Sequence, residues 1–197
     1  MKLNEFTAVN TFAKESVVEG VTTLEIIKDE KITAFDEPTF IKLKDKNFHN
    51  GVIKVKVKAT LLPNAPEFAR GFIGVAFRID EANTKFEAIY VRPSNVQSDD
   101  QLRRNHTTQY FSYPDYKFDR LREEANGVYE SYTDIALDEW IDLKIEVEDE
   151  QAKLYVNHYV NAVSIVNDLK HGNSKGSVGL WVEVGTIGHF KDLKLED

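Results

Sequence analysis

The sequence predicts an all-β protein, a two-sheet antiparallel sandwich with one short helix around residues 115–125. Three observations predict it. Apolar and polar residues alternate with period two over long stretches, which turns one face of each toward a core and the other toward water. A single stretch has helical spacing. The strands also follow one another through polar turns, without the regularly interposed helices that a parallel sheet needs.

Taken in order, strands are expected at 21–27 and 38–44, and then over Val52–Thr60, where Ile53, Val55, Val57 and Ala59 point inward and Lys54, Lys56 and Lys58 outward. Asn50-Gly51 is the turn before it. Strands at 71–79 and 86–92 carry few charges and read as covered on both faces. Strands at 108–113 and 129–135 bracket the helix. There Phe118, Leu121 and Ala125 recur at helical spacing after Pro114-Asp115, and Asn126-Gly127 is the stop signal. Trp140 opens a strand whose inward set is Ile141, Leu143, Ile145 and Val147. It turns at Glu148-Asp149-Glu150 into Gln151–Asn157, a hairpin over 141–157. Two further strands, at 177–183 and 188–195, follow the turn cluster His171–Gly176.

Composition bounds the function. A chain of 197 residues with 42% apolar content reads as one compact domain, 1–197. Its net charge of −8 argues against nucleic acid as a partner, since phosphate binding needs a basic face. No apolar run has the ~20 residues of a membrane helix, so no membrane partner is assigned. Without cysteine there is neither a disulfide nor a thiolate metal site. The first thirty residues contain no secretory apolar core, which reads as cytoplasmic as written, or as exported if a removed leader preceded Met1.

The cations are partitioned. All seven arginines lie between Arg70 and Arg122, and six of the eight tyrosines lie between Tyr90 and Tyr132. Arginine's planar fork makes bidentate contacts and stacks on rings, whereas lysine's point charge suits a solvated face. This segment is therefore the expected recognition surface. In 71–79 one face carries Ile73, Val75, Phe77 and Ile79, and the other Phe72, Gly74, Ala76 and Arg78. Stacked on Ala88, Tyr90 and Arg92, the second face predicts a groove with a small-residue floor edged by Arg78, Tyr90 and Arg92. The alternative is that both arginines are buried partners of Glu87 or Glu130.

The pieces Arg70-Gly71-Phe72-Ile73-Gly74-Val75-Ala76-Phe77-Arg78 and Tyr90-Val91-Arg92-Pro93-Ser94-Asn95 resemble the central strands of concanavalin-like jelly rolls. Lys153-Leu154-Tyr155-Val156-Asn157 and Gly176-Ser177-Val178-Gly179-Leu180-Trp181 continue the likeness, which covers about residues 40–195. Within that superfamily the chain is most similar to the 3-keto-disaccharide hydrolase family. The resemblance implies a jelly-roll sandwich with a concave, carbohydrate-facing side, and a hydrolase or lyase acting on a modified saccharide, either keto or anionic.

The run Gln101–Pro114 holds no carboxylate but two arginines, a histidine and many amide, hydroxyl and aromatic groups. That mixture suits a sugar, with planar donors for its hydroxyls and rings for its C–H faces. The expected substrate-binding set is Arg78, Tyr90, Arg92, Asn95, Arg103, Arg104, Gln109, Tyr110 and Tyr132. Glu130 is the candidate acid, base or arginine-orienting group, and His106 the candidate general base; Glu87 is the one obvious second carboxylate. Trp181 offers either a stacking platform or packing.

No G-x-S-x-G, H-E-x-x-H or phosphate-binding glycine loop occurs, nor the E-x-D-x-x-E order of laminarinases, so no cofactor is assigned. The five histidines lack ligand spacing, which leaves the metal assignment empty. Asp99-Asp100 could reach a rim calcium, but a paired acid in a loop is usually just solvated, and nothing else supports one. Two readings remain. One is a carbohydrate-binding or carbohydrate-processing sandwich. The other is a non-catalytic protein-interaction module resembling laminin-G-type domains, with Arg and Tyr as hot spots. Oligomeric state is not legible.

Overall fold

The computed structural model describes residues 1–196. Among the described residues fourteen strands form two seven-stranded sheets, with all paired neighbours antiparallel. The first sheet contains β1 (Phe6–Val9), β4 (Phe40–Leu43), β6 (Ile73–Ile79), β7 (Phe86–Val91), β8 (Thr108–Tyr113), β9 (Glu130–Ser131) and β13 (Ser177–Val182), in the order β1-β4-β13-β6-β7-β8-β9. The second contains β2 (Thr11–Val18), β3 (Val21–Lys28), β5 (Gly51–Leu61), β10 (Ile141–Glu148), β11 (Gln151–Val156), β12 (Ser164–Val166) and β14 (Thr186–Glu196), in the order β12-β11-β10-β5-β14-β3-β2.

Alternation sets the layers. On β5, Ile53, Val55, Val57 and Ala59 are buried while the intervening lysines reach solvent, and β10 repeats the pattern. These residues join one continuous core with Ile73, Val75, Ile89 and Leu180 of the first sheet. β6 and β7 are buried at every position, because their other face is covered too. On that outer face a row runs in register across six strands: Phe40, Trp181, Gly74, Tyr90, Gln109 and Glu130.

The cover comes from two segments. The β3–β4 connection reaches over Trp181, whose Nε1 donates to Glu37 O at 2.9 Å. The long excursion around β8 meets it there: Lys117 pairs with Glu37, and the Phe118 amide donates to Asp36 Oδ2 at 2.8 Å.

Several elements differ from expectation. The expected strand 129–135 pairs only at Glu130 and Ser131, because β8 begins at Thr108 and offers later residues no ladder partner. The helix α2 is Phe118–Glu124 rather than 115–125, since Tyr116 still forms a bridge with Ser112. A second helix, α1 (Gln101–Asn105), has no amphipathic stripe to announce it; it is capped by Asp100, whose Oδ1 accepts from Leu102 N at 2.9 Å. β1 and β2 were not expected, because four residues are too few to show a period in β1 and the exposed side of β2 carries Phe12 and Val17, which blurs its alternation.

Candidate functional site

The two covering segments leave part of the outer face open, and a hollow of about 630 Å³ remains there. Its floor is Tyr90 and Phe72, whose rings meet edge-on at 6.1 Å between centroids. Phe35, Phe68 and Phe118 form one wall, with Phe35 edge-on to Phe68 at 5.7 Å and to Phe118 at 6.2 Å. Arg70, Arg92, Arg103 and Arg122 face the same space, as do the carboxyls of Asp36, Asp100 and Glu183.

Arg92 is the hub beneath. It follows β7 directly, and period two carries it to the same side as Tyr90. Its Nη1 donates to His106 O at 2.9 Å and Glu130 Oε1 at 3.1 Å, and its Nη2 to Tyr90 Oη at 2.9 Å and Gln109 Oε1 at 3.1 Å. Glu130 also accepts from Arg122, through Nη2 at 2.5 Å and Nε at 3.1 Å, and lies 3.4 Å from His106 Nε2. Burial pushes the Glu130 carboxyl up, but the two guanidinium groups outweigh it and hold it below the usual carboxylate range. With three cationic or polar neighbours on its oxygens, Glu130 is fitted to position arginines rather than to carry a proton. Burial lowers the His106 imidazole, with Arg122 and Arg92 adding to the effect and Glu130 opposing it.

The acidic side of the hollow behaves oppositely. Asp36 is 1% exposed, and burial, reinforced by the nearby Glu183 charge, pushes its carboxyl up to about 7 against the pull of the Phe118 amide. Glu183 is raised as well, by burial, although Lys28 pairs with it. Glu183 Oε2 accepts from Asp36 N at 3.0 Å, so the two carboxyl-bearing residues are locked together.

Among the residues expected from sequence, the hollow gathers Tyr90, Arg92, Asn95, Arg103 and His106. Asn95 Nδ2 donates to His106 O at 2.9 Å and its Oδ1 accepts from Arg103 Nε at 3.1 Å. Gln109 and Glu130 stand behind them as supports. Arg78, Arg104, Tyr110 and Tyr132 lie elsewhere.

Arg78 was expected at the groove's edge. A bulge between Ser177 and Gly179 breaks the alternation of β6 beside it, and its φ of +53° turns it away. Its guanidinium instead binds His49 O at 3.0 Å, Gly172 O at 2.8 Å and Asn50 Oδ1 at 3.0 Å. Tyr110 falls on the core side of β8, donating to Glu87 Oε2 at 2.7 Å. Arg104 stacks on exposed Tyr132 at 5.5 Å. Gly74 opens no floor, because a Cβ there would meet Ile89 O at 2.3 Å. Trp181 is wholly buried and packs under Tyr90 at 4.7 Å.

Sequence reasoning missed Phe35, Asp36, Phe68, Arg70, Arg122 and Glu183. Their one signal was apolar residues, Phe35 and Phe68, in connections that need none. Among the described residues, no cluster of three or more His, Asp or Glu side chains is arranged to hold a metal ion.

The architecture has solved counterparts. The carbohydrate-binding module CBM66 from Bacillus subtilis superposes with a TM-score of 0.66 at 17% identity, over 98% of this chain and 96% of that one. The fold is a jelly roll. A putative glycosyl hydrolase from Parabacteroides distasonis shares this jelly roll at a TM-score of 0.55 and 13% identity, over 100% of this chain and 89% of that one. So does domain 4 of an extracellular GH43 arabinanase from Geobacillus stearothermophilus, solved with arabinotriose, at a TM-score of 0.50 and 12% identity, over 94% and 75% of the two chains. No protein-family model and no curated protein matches the sequence.

Proposed function

We propose that this jelly roll binds a saccharide in the hollow above Tyr90. One observation carries the reading: a space of about 630 Å³ sets the Phe35, Phe68 and Phe118 rings against guanidinium and amide groups of Arg103, Arg70 and Asn95. A volume in the ~300–1,000 Å³ span of small-molecule sites suits one or two sugar residues. Rings take the C–H faces of a pyranose, and fixed polar groups take its hydroxyls. The solved jelly rolls that share this architecture include a carbohydrate-binding module and an arabinanase domain holding arabinotriose, which supports the same ligand class.

A glycan array followed by titration calorimetry tests it. Phe68 is 50% exposed, so Phe68→Ala should leave the fold intact while weakening the bound sugar roughly threefold to tenfold, the worth of one stacked ring. Absence of binding to every mono- and disaccharide in the panel at about 10 mM, weaker than any useful site, would rule the reading out.

A catalytic role, as a hydrolase or lyase on a modified saccharide, has one observation in its favour. Asp36 is a buried carboxyl on the hollow, and its affinity for the proton suits a general acid near neutrality. Ordinary and 3-keto disaccharides belong in the same panel with product detection. Turnover lost in Asp36→Asn would establish the enzyme reading, and binding without turnover would establish a binding module.

A further inference from the structure

We propose that Arg70 and Arg103 together form a clamp for the acid group of an acidic saccharide, a uronate carboxylate or a sulfate ester, bound in the hollow. The inference deepens the saccharide reading and rests on it.

The argument starts from how the cations around the hollow are matched. Lys28 is paired with Glu183, Lys117 with Glu37, and Arg92 and Arg122 share Glu130. Arg70 and Arg103 face the hollow too, yet neither forms an ion pair with any described residue. Asp100, on the same rim, spends Oδ1 on capping α1.

Both forks are oriented by one edge and open at the other. Arg103 Nε donates to Asn95 Oδ1 at 3.1 Å, and Asn95 is itself tied to His106 O, which fixes the guanidinium plane and leaves both terminal nitrogens of Arg103 without a partner among the described residues. Arg70 Nη1 is held by Glu67 O at 2.6 Å and Ala69 O at 2.8 Å, which leaves Nε and Nη2. The two charges feel each other: burial lowers the proton affinity of Arg70, and Arg103 and then Arg92 add to it, with only Glu67 opposing. An oxyanion between the forks would relieve that repulsion and accept charge-assisted hydrogen bonds from both.

The other contents of the hollow select a sugar acid over a bare anion. Phe35, Phe68 and Phe118 offer ring surface that sulfate or phosphate cannot use. A sugar would therefore lie with its acid group toward Arg70 and Arg103 and a ring face against the phenylalanine wall.

The test is titration calorimetry of the whole chain with glucuronic and galacturonic acids, a galactose sulfate ester, the neutral parents glucose and galactose, and inorganic sulfate. At least one acidic sugar should bind about tenfold or more tightly than its neutral parent, the worth of one charged hydrogen bond. Arg70→Ala and Arg103→Ala should each erase most of that preference, and Arg103→Lys should restore only part of it, because an ammonium lacks the fork. Circular dichroism separates loss of the clamp from loss of the fold, and Arg103→Gln is the fallback variant. The clamp is overturned if acid and parent bind within about threefold of each other, a difference below the worth of a charged contact. Preference that survives both alanine variants, or inorganic sulfate binding as tightly as the sugar acid, would overturn it equally. Binding of neutral sugars alone leaves the saccharide reading standing and removes the clamp, whereas no binding at all removes both.

Discussion

Asp36 holds its place at a cost. It sits in left-handed backbone, φ +51°, with its carboxyl nearly sealed from water and raised from 3.8 to about 7. Below about pH 4 the carboxyl is protonated in both states and contributes nothing. As pH rises from there to 7, the unfolded chain releases the proton first, so stability falls, and the loss is complete above 7. At about 1.4 kcal/mol per unit this amounts to on the order of 4 kcal/mol at most. Glu183, also raised, adds with the same sign. Asparagine tolerates positive φ and keeps an oxygen for the Phe118 amide. Asp36→Asn should therefore stabilise the protein in urea unfolding by about 2–4 kcal/mol at pH 8 and by almost nothing at pH 4. An equal effect at both pH values would show that Asp36 is not a raised carboxyl. Arg78 supplies the contrast, a charged side chain that secures loops. Removing it leaves His49 O, Gly172 O and Asn50 without their donor, so Arg78→Ala should cost about 2–3 kcal/mol and leave saccharide affinity unchanged. A fall in affinity without loss of stability would place Arg78 at the ligand after all. The sequence made Tyr90 and Arg92 legible because nothing interrupts period two between them. The same count misplaced Arg78, because a single bulge reverses every residue after it and leaves no mark in composition.

Strands place the site. Tyr90, Gln109 and Glu130 come from three successive strands and stand side by side only because their register is fixed. Gly74 fixes the next step, from β7 to β6. An added Cβ would lie 2.3 Å from Ile89 O and 2.5 Å from Tyr90 Cα, both of them backbone that cannot swing aside. Gly74→Ala must then part the two central strands. That disturbs Tyr90 and the Trp181 ring under it, and overpacking of this kind costs about 1–3 kcal/mol, or more where backbone must move. Chemical denaturation should show the loss together with weakened ligand binding; a stable Gly74→Ala variant with normal affinity would mean that the strands have slack. The long strands were readable because β5 and β10 each bury one clean face. β9 was readable in place but not in length, since the expected strand 129–135 runs past the two residues that pair, and α1 was not readable, since its Leu102 is exposed and its stability comes from the Asp100 cap.

The whole molecule joins segments that are far apart in the chain. β14 lies in the interior of the second sheet, between β5 and β3, so that sheet is incomplete until the last described strand is in place. The hollow is equally scattered, drawing Phe35 and Asp36 from one connection, Phe68 and Arg70 from another, Arg103 from α1, Arg122 from α2 and Glu183 from just past β13. This is why half the site escaped a reading along the chain. Connections have no period, and only the closed sandwich shows which of their residues meet. The same interleaving makes ligand binding a property of the global fold. A saccharide at about a hundred times its Kd should stabilise the folded state by about 2.7 kcal/mol, which for a chain of this size raises Tm by roughly 5–10 °C. Because the hollow stands on Tyr90 of β7 and on Phe72 and Glu183, which adjoin the core strands β6 and β13, calorimetry should show one transition that moves as a unit. Arg103→Ala should shrink the shift given by an acidic sugar more than the shift given by its neutral parent. Two transitions, only one of them responding to the sugar, would mean that the covering segments unfold apart from the sandwich and that the hollow is not built by the fold as a whole.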